Sequence, residues 1–146
     1  MVQHSHLLRL IAKAKRDSDL KRLGKGDYYV YLHAEGHPAW ASVAGGFEDI
    51  RSAASHANAK VLVVIFPFFP IGKNDWAQYP YRRIHEQVAA QATQNGFDVL
   101  DLLPAYSKYK PSTVTLPASI VHPNVLGYKL AASEIAAKVA EILARH

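Results

Sequence analysis

The residues of this 146-residue chain that could do chemistry are mostly histidines and hydroxyls. Eight histidines are present and no cysteine, which removes disulfides, thiolate nucleophiles and Cys-ligated zinc. His33-Ala34-Glu35-Gly36-His37 sets two histidines four apart around a carboxylate. On a helix that spacing would turn both rings toward one metal ion. Gly36 and Pro38 predict a turn there instead, no third ligand is evident, and no metal or cofactor is expected. His4 and His6 sit at a terminus expected to fray. His122-Pro123-Asn124 is the second arrangement of interest. An imidazole such as His122 can act as a general base, and Ser107, Ser112 and Ser119 are hydroxyls nearby in sequence. The same tripeptide reads equally as a helix start, with Asn124 accepting backbone N–H bonds as the cap. No Asp or Glu occurs between Asp101 and Glu134, so no carboxylate next to His122 in sequence could orient its ring. Leu23-Gly24-Lys25-Gly26 lacks the spacing of a phosphate loop and reads as a helix stop.

The elements that must hold these residues are visible in the hydropathy pattern. Residues 6–23 predict an amphipathic helix, with Leu7, Ile11 and Ala14 on one face, Leu8 and Leu20 near it, and basic residues on the other. Gly24 and Gly26 stop it. Tyr28–Leu32 is aromatic and β-branched, which predicts a short extended stretch. Pro38 suits the first turn of a helix running to about residue 57, weakened midway by Gly45-Gly46. Residues 60–66, Lys-Val-Leu-Val-Val-Ile-Phe, are continuously apolar after the lysine, the signature of a parallel strand buried on both faces. Pro67 and Pro70 end it. A helix follows from Pro80, with Ile84 and Val88 facing inward, and stops at Asn95-Gly96. Residues 97–103 predict a second buried strand, residues 107–121 a loop, and residues from Asn124 onward a last helix with Ala131, Ile135, Val139 and Ile142 on one stripe.

Strand, helix and apolar strand in that order imply a parallel crossover and an α/β fold in one domain, residues 1–146. Two parallel strands leave edges unsatisfied, so the strand at residues 60–66 is expected to show an unpaired apolar edge open to another chain. Phe66, Phe68, Phe69, Trp76, Tyr79 and Tyr81 gather after that strand, where open α/β sheets bind ligands. A loop folding its own aromatics over the sheet end is favoured over an acyl or sugar pocket.

The net charge is +5, and Arg9, Lys13, Lys15, Arg16, Lys21, Arg22 and Lys25 concentrate it near the start. Such a cluster attracts anionic partners, nucleic acid or a membrane surface among them. No base-reading motif accompanies it, so a solvated helix face is the plainer expectation and nucleic acid is not the expected partner. The longest apolar run, residues 61–70, is too short to span a bilayer. Met-Val-Gln-His-Ser-His lacks the charged start and apolar core of a signal peptide, which makes the cytoplasm the default expectation.

His122-Pro123-Asn124-Val125-Leu126-Gly127-Tyr128 with its Ala-rich helix resembles the last block of the SGNH (GDSL-type) hydrolases. Asp98-Val99-Leu100-Asp101-Leu102-Leu103-Pro104 is similar to the strand and turn before that block, and residues 61–67 to the family's fourth strand. Residues 79–96 resemble the helix between them, and Leu32 to Gly36 with Trp40 the region upstream. The resemblance covers residues 28–143 and implies a three-layer α/β/α flavodoxin-like fold, here incomplete, with two parallel strands and about four helices. It implies ester or acyl hydrolysis or transfer, with His122 in the place of the catalytic base and Asn124 supporting the site. The family's Gly-Asp-Ser nucleophile turn is absent, Gly26-Asp27-Tyr28 sharing only two letters, and Ser119, Ile120 and Val121 stand where its acid would be. The resemblance therefore implies the C-terminal half of a hydrolase, inactive alone and acting on an acyl ester only if complemented. The alternative is an interaction module that pairs through the open sheet edge or binds anionic partners through its basic first helix.

Overall fold

The computed structural model describes residues 6–24, 27–69, 75–117, 119 and 121–145, and not the side chains of residues 6–8. The chain forms two compact units, Met1–Gly46 and Phe47–His146.

In the first unit, α1 (His6–Gly24) is followed by the five-residue α2 (Tyr28–Leu32) and by α3 (Pro38–His56), which continues into the second unit. The expectation of an extended stretch at Tyr28–Leu32 is corrected: it is helical. The reason is local. The Asp27 carboxylate accepts the backbone N–H groups of Tyr29 at 2.8 Å and Val30 at 3.0 Å, and this cap outweighs the β preference of the aromatic run. Gly24 packs against Tyr31 so closely that a Cβ there would lie 2.7 Å from the Tyr31 Cβ.

In the second unit, β1 (Leu62–Ile65) and β2 (Asp98–Asp101) pair in parallel, Leu62 opposite Asp98 and Ile65 opposite Asp101. The helix α4 (Arg82–Gln94) joins them. Gly96, at φ +78°, takes the left-handed turn that ends α4 and starts β2. The strands are shorter than residues 60–66 and 97–103. Pro67 ends the first, and the Asp101 carboxylate ends the second by accepting the Leu103 N–H at 2.8 Å, which folds the chain into α5 (Leu103–Tyr106). The strands are also half-buried rather than buried throughout, Ile65 excepted, because a sheet of two strands is all edge. β1 has β2 as its only strand partner among the described residues. The expected loop at residues 107–121 contains one further short helix, α6 (Pro111–Val114). Among the described residues, the long helices α1, α3, α4 and α7 stand where about four were expected, and α2, α5 and α6 are short additions.

The last helix, α7 (Val125–Ala144), runs opposite to β2. Near its start the Gly127 carbonyl accepts the Tyr106 hydroxyl at 2.8 Å, just beyond the carboxyl end of β2. At its far end Arg145 pairs with Asp98, the first residue of β2, at 2.7 Å. Side chains alternate along a strand. Asp98 and Leu100 face α7, while Asp101 faces α4 through His85. Helices thus cover both faces of the small sheet. The core lies at its carboxyl end, where Phe69, Trp76, Tyr79, Leu102, Leu103, Tyr106, Val114 and Ala131 pack together.

Candidate functional site

The His122 segment is built from main-chain contacts. Asn124 caps α7, its Oδ1 accepting the Gly127 N–H at 3.0 Å. Its amide Nδ2 donates to the carbonyls of Thr113 at 3.0 Å and Thr115 at 3.2 Å, and its own N–H donates to Val114 at 3.0 Å. Thr115 and Pro123 form an antiparallel bridge, and the His122 carbonyl accepts both the Leu116 N–H and the Thr115 hydroxyl at 3.0 Å. Gly127 permits this closeness, since a Cβ there would collide with the Val114 carbonyl oxygen. The segment is anchored on both sides while the His122 side chain is exposed. Its ring has no hydrogen-bond or ion-pair partner among the described residues. Ser107 donates to Pro104, and the Ser119 hydroxyl accepts the N–H groups of Val121 and His122. No described serine hydroxyl is bonded to the imidazole. What the segment offers chemically is one open imidazole, five residues before the Gly127 that bonds Tyr106.

A second histidine lies deeper. His85, in the first turn of α4, is 6% exposed. Its Nδ1 lies 2.9 Å from Asp101 Oδ1 and its Nε2 lies 3.0 Å from the Tyr79 hydroxyl. That hydroxyl also accepts the Phe68 N–H at 3.0 Å, and the Asp101 carboxylate can only accept, so a neutral ring satisfies both partners with its hydrogen on Nδ1 and Nε2 accepting the phenolic hydrogen. The order hydroxyl, imidazole, carboxylate is that of a nucleophilic triad. Here the hydroxyl is a phenol, 7% exposed, and burial pushes it well above its usual range, the nearby Asp101 charge adding to this against the Phe68 N–H. Burial also pushes the Asp101 carboxyl up, but hydrogen bonds from His85 and Leu103 together outweigh that and hold it below its usual value. No protein-family model, curated protein or solved structure matches this chain. The chemistry therefore rests on geometry alone. A buried neutral phenol is a poor nucleophile, and this chain of bonds instead ties the segment after β1, the start of α4 and the end of β2 into one piece.

The other candidates divide. His33 Nδ1 donates to the Tyr29 carbonyl at 2.8 Å, while His37 Nδ1 accepts the Ala39 N–H at 3.1 Å and its ring stands edge-on to Tyr31. The two rings serve different turns. No group of three or more His, Asp or Glu suited to a metal occurs among the described residues. His4 and the His6 side chain lie outside the described residues, as do Lys25 and Gly26. Asp27 of Gly-Asp-Tyr begins a helix rather than a nucleophile turn. Phe69, Trp76 and Tyr79 are buried against one another and Tyr106, the self-packed loop that the aromatics suggested, while Phe66 remains exposed.

The relay from Tyr79 to Asp101 went unseen in the sequence because its members are 6 and 16 residues apart. One signal was present. His85 and Ala92, two helical turns apart, share the buried face of an otherwise polar helix, and Asp101 is an acid at the end of an apolar strand. A buried histidine and a half-buried acid invite the question of what pairs them.

Proposed function

We propose that this chain is the C-terminal part of an SGNH (GDSL-type) hydrolase, with His122 as the base for a serine held outside these 146 residues, and that it has no esterase activity alone. The reading implies a larger three-layer α/β/α sheet in which a further strand lies along the free edge of β1. The observation that supports it best is the bond between Tyr106 and Gly127, which ties the start of α7 at Gly127, five residues after the exposed His122, to the segment that follows the carboxyl end of β2. Active residues of open α/β sheets gather at that end. Asn124 holds the segment in place and leaves the imidazole free to meet a partner group.

A base without a nucleophile or an orienting acid gives no covalent step. The purified chain is expected to hydrolyse p-nitrophenyl acetate no faster than its His122→Ala variant. A clear loss of rate in that variant would mean that the chain holds its own nucleophile and would overturn the inactivity. The coding DNA upstream of Met1 tests the lineage: a Gly-Asp-Ser in any frame supports it, and its absence there and from any neighbouring reading frame removes it.

A further inference from the structure

The first helix carries two features that its packing inside the first unit leaves unused. Leu20 and Leu23 are half-buried, and Gly24 meets Tyr31, so the end of α1 packs on α2. The apolar face that includes Ile11 and Ala14 is not covered along its length. Leu10 is 60% exposed, Ile11 is 56% exposed, and Ala14, which lies between them on the helix surface, is exposed as well. Six cations surround this apolar strip: Arg9, Lys13, Lys15, Arg16, Lys21 and Arg22, all exposed. Asp17 and Asp19 answer two of them, Asp17 lying 4.0 Å from Arg16 and Asp19 lying 3.0 Å from Arg22. Arg9, Lys13, Lys15 and Lys21 have no acidic partner among the described residues.

Each kind of partner accounts for these features differently. A second copy of the chain would cover Leu10 and Ile11 but would bring two cationic helices together. A nucleic acid would satisfy the cations and leave the leucine and isoleucine in water, and α1 has no Phe, Tyr or Trp to stack on a base. An anionic bilayer surface takes both: apolar side chains enter the headgroup boundary while lysine stems reach back to the phosphates. No described helix is long and apolar enough to cross a membrane, so contact would be from one side. We propose that α1 is an interfacial helix that docks the chain on an anionic lipid surface. This inference stands apart from the hydrolase reading.

Co-sedimentation of the full chain with vesicles tests it. Binding is expected to equimolar phosphatidylcholine and phosphatidylserine, to be at least about tenfold weaker to phosphatidylcholine alone, and to fall as salt rises. Leu10→Glu with Ile11→Glu, and separately Lys13→Glu with Lys15→Glu, are each expected to weaken it by about tenfold or more. Because these side chains are exposed, the helix content by circular dichroism should match the wild type in both. The proposal is overturned if the wild type ignores anionic vesicles, or if the Leu10 and Ile11 change leaves vesicle binding intact. It is also overturned if that change instead abolishes a dimer in sedimentation velocity, or if duplex DNA is bound in place of lipid.

Discussion

His85 and His122 are the same side chain in opposite circumstances. One is buried, with both ring nitrogens engaged and a carboxylate behind it. The other is exposed, with its backbone held and its ring open. The better hydrogen-bonded histidine is the one less able to catalyse, because its proton chain ends on a buried phenol that no substrate can replace. Bond order alone does not make a triad. Access to the first hydroxyl and the acidity of that hydroxyl decide what such a chain of bonds can do.

Substitution should separate the two most sharply in stability. His85→Ala would leave the Tyr79 hydroxyl without an acceptor and the Asp101 carboxylate without its ring donor. Urea denaturation should show a loss of about 3 kcal/mol, whereas His122→Ala should stay within about 0.5 kcal/mol of the wild type. Similar losses at both would erase the distinction.

A smaller effect is expected at Asn124→Ala, which removes the cap of α7 and the bonds to the Thr113 and Thr115 carbonyls. The expected cost is about 1–2 kcal/mol. It should fall on the anchoring of the His122 segment, so exchange of the Gly127 amide hydrogen should quicken more than that of the β2 amides.

The smallest effect lies in acid. The Asp101 carboxyl is held below its unfolded value, so its contribution is fully present above about pH 4 and is lost as pH falls through the lowered value. Asp101→Asn keeps an oxygen for the Leu103 N–H but cannot titrate. Its stability should decline less steeply than the wild type between about pH 4 and pH 2. Equal slopes would mean that the carboxylate gains nothing from its partners in the fold, His85 and the Leu103 N–H foremost.

How much of this could be read in advance depends on the range of the interaction. The strands were legible because residues 61–66 and 97–103 are dense in apolar side chains, and a parallel strand announces itself by that density. The α7 start was legible because Asn124 acts three residues away, on Gly127. Tyr28–Leu32 misled because its side chains favour a strand while the deciding group, the Asp27 carboxylate, lies just before it. The relay was hidden because it is tertiary: Asp101 and His85 meet only once α4 has folded back along β2. Periodicity places Ile11 and Ala14 on one apolar face, but it does not say whether anything covers that face.

The loop from Thr115 to His122 is gripped at its two ends by main-chain groups and by a glycine that allows them to touch. The Ser119 hydroxyl adds a tie between them by accepting the Val121 and His122 N–H groups. The exposed side chains of Leu116 and Val121 take no part in these ties, so exchanging them would change what fits beside the imidazole while sparing the bonds that fix its backbone.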